Sequence, residues 1–162
     1  MKFTHSATYP ADFETVITTN FSEEFYSSLT ELLDTATPEV TNHSDDGNTL
    51  VCETFWQHTG QLDPMAKALL GGKPLTWVTT TTIDRASKTG TVNTVYMEGK
   101  IPGTCEAKVT YTEDGGSTTR ELEGEIIVKI MMAGPTVEKR LVEAIEIRQE
   151  LEAKALIARL GG

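Results

Sequence analysis

The chain has little positive charge: 14 lysines and arginines stand against 24 aspartates and glutamates, which gives a net charge of -10. A protein with this charge repels nucleic-acid phosphates and anionic lipid surfaces unless it carries a local basic patch. Lys139, Arg140 and Arg148 do not form such a patch, because glutamates are interspersed among them. We therefore expect no nucleic-acid partner, and the sequence identifies no protein partner.

Long apolar runs and cysteines are also scarce. No segment approaches the roughly 20 apolar residues of a membrane span, and residues 1–5 alternate like a strand instead of forming a signal-peptide core. Cys52 and Cys105 lie in strand-like runs outside any C-x-x-C motif, so we expect buried, reduced thiols. These features predict a cytoplasmic protein with a single domain over residues 1–162.

Recognisable motifs for catalysis, metal binding and phosphate binding are missing. No two of the 3 histidines have H-x-H or H-x-x-x-H spacing, and there is no G-x-S-x-G motif. The segment 70–74 lacks the spacing of a phosphate loop, and Pro74 removes an N–H that such a loop needs. We expect no metal and no cofactor, and the sequence identifies no catalytic residue.

What the chain does contain is alternation of apolar and polar residues, which predicts strands. After a first strand at 2–9, two short helices follow; Ser22 caps the second, whose apolar stripe is Phe21, Phe25, Leu29, Leu32 and Leu33. Further strands are predicted at 38–45, 49–58, 75–83, 91–97, 104–112 and 118–132. Large residues on both faces of 49–58 predict either cover on both sides or a register shift. Gly124 predicts a bulge or bend in the last strand.

Residues 60–74 interrupt the strands. Asp63 and Pro64 open a short apolar helix, which ends at Gly71 and Gly72. Two interpretations stay open at this stage: a lid that moves over a pocket mouth, or a fixed plug at one end of the sheet.

The last segment, 135–160, has the spacing of one long amphipathic helix that Thr136 can cap. Its predicted apolar flank consists of Val137, Leu141, Ala144, Ile145, Leu151 and Ala155. At about 1.5 Å per residue this helix spans roughly 40 Å, longer than any strand. It must therefore lie across several strands, and we expect the sheet to curl around it.

This order, β-α-α-β-β-β-β-β-β-α, resembles the helix-grip fold of the START-like superfamily, which includes lipid-transfer domains, pollen-allergen carriers, and polyketide cyclases and aromatases. The resemblance implies an α+β fold in which a strongly curved antiparallel sheet of about seven strands wraps around the C-terminal helix. Segments 1–12 (MKFTHSATYPAD), 60–64 (GQLDP) and 75–77 (LTW) also resemble DUF2505, a family found mainly in actinobacteria without an assigned activity. The resemblance implies an apolar pocket between helix and sheet and does not imply a reaction.

A pocket also follows from physical reasoning. A bent sheet and one helix leave a space unless large side chains fill it, and several inward positions carry small residues. The alternative is a solid core closed by Phe3, Trp56, Trp77, Tyr111 and Leu141. The candidate ligand-binding residues are His5, Ala7, Trp56, Trp77, Thr79, Cys105, Ala107, Tyr111, Arg120, Leu141, Ala144 and Ile145.

Three functional hypotheses follow. The first is a protein that binds or carries a small apolar or amphipathic molecule, such as a lipid or a polyketide-like compound, with Tyr111 and Arg120 orienting its polar end. The second is a cyclase, aromatase or hydrolase that uses His5 or Tyr111 as general acid or base, although His5 also fits a core histidine. The third is an interaction module without a ligand.

Overall fold

The computed structural model describes residues 1–30 and 34–161. Its strands are β1 (Lys2–Tyr9), β2 (Glu39–Asp45), β3 (Thr49–Gln57), β4 (Thr76–Asp84), β5 (Thr89–Tyr96), β6 (Gly103–Asp114) and β7 (Ser117–Val128). Its helices are α1 (Phe13–Asn20), α2 (Glu23–Ser28), α3 (Pro64–Leu70) and α4 (Gly134–Arg159). The strands form one 7-stranded antiparallel sheet in the order β1-β7-β6-β5-β4-β3-β2.

The alternation of β3 shows how the sheet divides its residues between two faces. Leu50, Cys52 and Trp56 are buried, whereas Val51 and Phe55 are half-buried on the outer face. The pairing of β3 with β4 runs without a shift, but the pairing of β3 with β2 shifts register between Val40 and Asn42. A register change therefore occurs on the β2 side of β3, and the alternative prediction of full cover on both faces is wrong. Cross-strand neighbours in β2 and β4 shield the outer side chains of Val51 and Phe55 in part, which leaves them half-buried.

Gly124 lies within a continuous part of β7, so the predicted bulge is also wrong. It pairs with Phe3 of β1 on one side and Ala107 of β6 on the other. A Cβ atom at this position would lie 2.3 Å from Cζ of Phe3 and 2.8 Å from Cβ of Ala107. The glycine therefore makes room for the Phe3 ring on the inner face.

Helices α1 and α2 close one end of the inner face. Asp12 caps α1 by accepting a hydrogen bond from Thr15 N at 2.7 Å, and Ser22 caps α2 as predicted, accepting from Phe25 N at 3.1 Å. Ile17 and Leu29 are completely buried. The predicted stripe residues Leu32 and Leu33 lie outside the described residues.

Helix α4 covers the inner face, and its placement decides where space remains. It packs closest to β1 and β7, which leaves a gap on the side of β4 and β5. The predicted cap at Thr136 is wrong: the cap position is Ala133, without a side-chain hydrogen bond, and Pro135 occupies the first turn. The predicted α+β helix-grip architecture is confirmed.

Within the described residues, no helix has the length and apolar character that a membrane crossing requires.

Candidate functional site

The larger cavity lies between α3, α4 and the ends of β4 and β5, with a volume of about 500 Å³. Most of its lining is apolar. The sheet contributes Trp77 and Tyr96, and α3 contributes Met65, Leu69 and Leu70. Helix α4 contributes Val137, Leu141, Ala144, Ile145, Ile147 and Leu151. Ile147 is 63% exposed and Leu69 45% exposed, so the cavity opens to solvent between the two helices.

Helix α3 forms one wall of this cavity, and its local sequence explains its boundaries. Asp63 Oδ1 accepts a hydrogen bond from Ala66 N at 2.9 Å, and Pro64 supplies the first helical residue. Gly71 ends the helix with φ of 58°, and Gly72 follows with φ of 78°. The other oxygen of Asp63 pairs with Arg140 of α4. One carboxylate therefore both caps α3 and ties it to α4.

Trp77 and Arg148 line the larger cavity, and Trp56 stacks on Trp77 next to it. The rings of Trp56 and Trp77 are 5.9 Å apart between centroids and nearly parallel, at 5°. The guanidinium carbon of Arg148 lies 5.3 Å from the Trp56 ring centroid and 5.6 Å from that of Trp77. Cation–π attraction therefore holds the Arg148 side chain against the tryptophans.

A second, inner cavity of about 60 Å³ lies beneath the middle of α4. Ile145 and Arg148 line both cavities, so the two are adjacent. The polar part of its lining includes Arg120 of β7 and Gln149 and Glu152 of α4. Arg120 Nη1 donates a hydrogen bond to Gln149 Oε1 at 2.8 Å. This contact links β7 to the inner face of the helix.

Burial sets the protonation of the groups around the inner cavity. It raises the pKa of Tyr111 and of Tyr9, although Arg120 opposes the change, so both hydroxyls keep their protons. Burial also raises the pKa of Glu152, opposed by Arg148 and Arg120. Tyrosine hydroxyls and guanidinium groups are therefore the donors that this interior offers.

Comparison with family models identifies one family that matches the chain. A model described as "Protein of unknown function (DUF2505)" matches residues 4–157. The chain belongs to this family. The resemblance inferred from its sequence segments is thereby confirmed. No curated protein sequence matches the chain.

Solved structures with the same fold show low sequence identity to this family member. A protein from Thermus thermophilus has a TM-score of 0.66 at 16% identity, covering 99% of this chain and 97% of that one. The ZhuI aromatase/cyclase from Streptomyces sp. R1128 has a TM-score of 0.59 at 13% identity, covering 99% and 93%. A START superfamily protein from Mycobacterium smegmatis has a TM-score of 0.56 at 16% identity, covering 99% and 97%. At these identities the likeness establishes the fold.

The structure distributes the candidate ligand-binding residues over both cavities. Trp77, Leu141 and Ala144 line the larger cavity, and Ile145 lines both. The residues that line only the inner cavity are Trp56, Thr79, Cys105, Ala107, Tyr111 and Arg120.

His5 and Ala7 line neither cavity. Both lie on β1, which packs against α4. His5 Nε2 is 3.4 Å from Glu150 Oε2 of α4. His5 therefore occupies a position between strand and helix and does not line either cavity.

Sequence reasoning missed the polar part of α4 that faces inward. The C-terminal half of the helix buries Gln149, Ala153 and Leu156, whereas the predicted Leu151 and Ala155 are half-buried. A usable signal was present, because Ile145, Gln149, Ala153 and Leu156 follow helical spacing. A search for apolar positions omits Gln149 because its side chain is polar. In the structure, however, Arg120 donates a hydrogen bond to the buried Gln149 side chain.

Cys52 and Cys105 are free and buried, as predicted. Over 1–30 and 34–161, no three His, Cys, Asp or Glu residues are grouped so that they could hold a metal ion.

Proposed function

We propose that this chain is a single domain over residues 1–162 that binds or carries a small apolar or amphipathic molecule. The observation that carries the proposal is the larger cavity, whose volume of about 500 Å³ lies between two helices and one end of the sheet. Small-molecule sites commonly occupy about 300–1,000 Å³ and have mostly apolar linings. A cytoplasmic location is part of this proposal.

Burial of apolar surface supplies the driving force. A ligand that places about 200 Å² of apolar surface in the cavity gains roughly 5 kcal/mol before the costs of association. Trp77, Tyr96 and Leu141 provide rigid or branched apolar walls for that contact. The solved structures add support, because one neighbour is named an aromatase/cyclase and another a START superfamily protein.

The enzyme hypothesis has less support from the site. His5 lies outside both cavities, and burial raises the pKa of Tyr111, which makes its hydroxyl a poor base near neutral pH. A solid core would favour the hypothesis of a ligand-free interaction module, and the larger cavity speaks against it.

The proposal is tested with the uncharged fluorophore N-phenyl-1-naphthylamine. We expect saturable binding near one molecule per chain with enhanced emission, because the cavity accommodates one apolar ring system against Trp77. Native mass spectrometry of the freshly purified protein is expected to show an added mass that disappears on denaturation. Absence of both signals would reject ligand binding.

The two interpretations of residues 60–74, mobile lid and fixed plug, are separated by Asp63→Asn. Asparagine retains the cap of α3 but loses the charge that pairs with Arg140. If α3 is a lid, losing the ion pair lets it open more easily, so the fluorophore is expected to enter and leave the variant faster than the wild type. The change should be only about twofold to fivefold, because an exposed ion pair contributes little energy. Stopped-flow fluorescence measures both rates.

The matched control is Glu146→Gln, which removes one negative charge from an exposed position of α4 outside both cavity linings. Equal rates in the wild type, Asp63→Asn and the control identify α3 as a plug.

A further inference from the structure

The inner cavity has more positive than negative charge. Arg120 and Arg148 both line it, and the acidic lining residues among the described part of the chain are Glu152 and Glu106. Glu106 is at an exposed position of β6, between the buried Cys105 and Ala107, so its side chain points to the outer face. Two guanidinium groups and one carboxylate therefore line the inner cavity.

Several donors in this cavity have no acceptor. Nε of Arg120, Nε of Arg148 and the hydroxyl of Tyr111 are buried without a hydrogen-bond partner among the described residues. Arg148 Nε is 3.5 Å from Glu152 Oε1, too long for a good hydrogen bond. Unpaired buried donors of this kind are costly, and an acceptor that entered the cavity would remove that cost.

The position of Arg148 connects these donors with the larger cavity. Its residue lines both spaces, and the stacked Trp56 and Trp77 hold its guanidinium in place. A molecule whose apolar part lies in the larger cavity can therefore extend one end past Arg148 toward Arg120 and Tyr111.

We propose, on the basis of the ligand-binding function proposed above, that the inner cavity is a head-group subsite for the carboxylate of an amphipathic molecule whose apolar chain occupies the larger cavity.

Size and geometry favour a carboxylate over larger anions. A water molecule needs roughly 10–15 Å³ of cavity volume, so the inner cavity holds only a few water-sized groups. Its volume of about 60 Å³ suits the two oxygens of a carboxylate and excludes a bulky phosphodiester head. Planar guanidinium groups also match the geometry of a carboxylate, which accepts two parallel hydrogen bonds.

The test compares ligands with the same twelve-carbon chain and different heads. Dodecanoate and dodecyltrimethylammonium, each below its critical micelle concentration, and dodecan-1-ol, below its solubility limit, displace N-phenyl-1-naphthylamine from the wild-type protein. Dodecanoate is expected to bind about tenfold or more tightly than the alcohol, because its hydrogen bonds are charge-assisted. The ammonium compound is expected to bind most weakly. The net charge of -10 acts against this order, so non-specific attraction cannot produce it.

Two variants locate the preference. Arg120→Met and Arg148→Met each keep an unbranched side chain but remove a guanidinium, and each is expected to bring the ratio of dodecanol to dodecanoate Kd values close to one. Lys139→Met is the matched control, since Lys139 is exposed on α4 outside both linings and should keep the wild-type ratio.

The outcomes separate this inference from the proposed function. Equal binding of all three compounds to the wild type would mean that water fills the inner cavity, which overturns the head-group subsite and leaves ligand binding intact. No displacement by any compound, together with no fluorophore binding, overturns both. The comparison of the three ligands on the wild-type protein tests the head-group subsite even if an arginine variant does not fold.

Discussion

Gly103→Ala is expected to destabilise the protein by at least about 3 kcal/mol, because its backbone conformation and surroundings both exclude a side chain. The φ angle is 148°, and a Cβ atom would lie 1.8 Å from the carbonyl oxygen of Ile127 in β7. That oxygen belongs to a strand paired with β6 throughout, so it cannot move without breaking the ladder. For a chain of this size the loss lowers Tm by roughly 6–12 °C.

Gly115→Ala provides the matched control in the β6–β7 hairpin. Its φ is 58°, which a side chain also disfavours, but nothing lies within 4 Å of the added Cβ atom. We expect a cost of only about 1–2 kcal/mol. Thermal unfolding followed by circular dichroism compares the two variants. A similar Tm for both would show that the close contact at Gly103 relaxes without penalty.

Most of the sheet could be predicted because each strand has one buried and one solvated face. β6 illustrates the point: Cys105, Ala107, Val109 and Tyr111 are buried, and the residues between them are exposed. The period of two is visible in the sequence without knowledge of any neighbouring strand. The same local signals predicted the ends of α3, where Asp63 and Gly71 act as caps.

The polar interior could not be predicted in the same way. A search for apolar periodicity treats Arg148, Gln149 and Glu152 as surface residues, since charged and amide side chains are rarely buried alone. The burial of Gln149 and Glu152 depends on Arg120, which β7 brings to the same space, and Arg148 has Glu152 as its charged partner. The partner of a buried polar group is set by tertiary packing, and one-dimensional patterns do not contain it.

The position of the larger cavity also depended on tertiary packing. Phe3, Trp56 and Tyr111 are buried and fill much of the centre, as the solid-core alternative expected, so only the small inner cavity remains there. The apolar space lies instead toward α3, because α4 packs closest to β1 and β7. The side on which a helix rests on a sheet depends on many contacts at once, which the spacing of its own residues does not determine.

Ala144→Trp is expected to weaken binding of N-phenyl-1-naphthylamine about a hundredfold. Ala144 is exposed and lines the larger cavity beside Leu141 and Ile145, so an indole there enters space that the ligand needs. Losing about 110 Å² of apolar contact costs roughly 2.8 kcal/mol, which is about a hundredfold in Kd. Fluorescence titration measures the affinity, and an unchanged Tm shows that the exposed site tolerates the larger residue.

Ala158→Trp is the matched control for this variant, since it places the same side chain on an exposed alanine of α4 outside both linings. It should keep the wild-type affinity, because a tryptophan at position 158 does not enter the cavity. The two substitutions add the same apolar surface, so a difference between them reports only on the position of the new side chain. A large loss with Ala144→Trp alone assigns the bound molecule to the space between α3 and α4. Wild-type affinity in both variants would place the ligand elsewhere and remove the basis for the function proposed from that cavity.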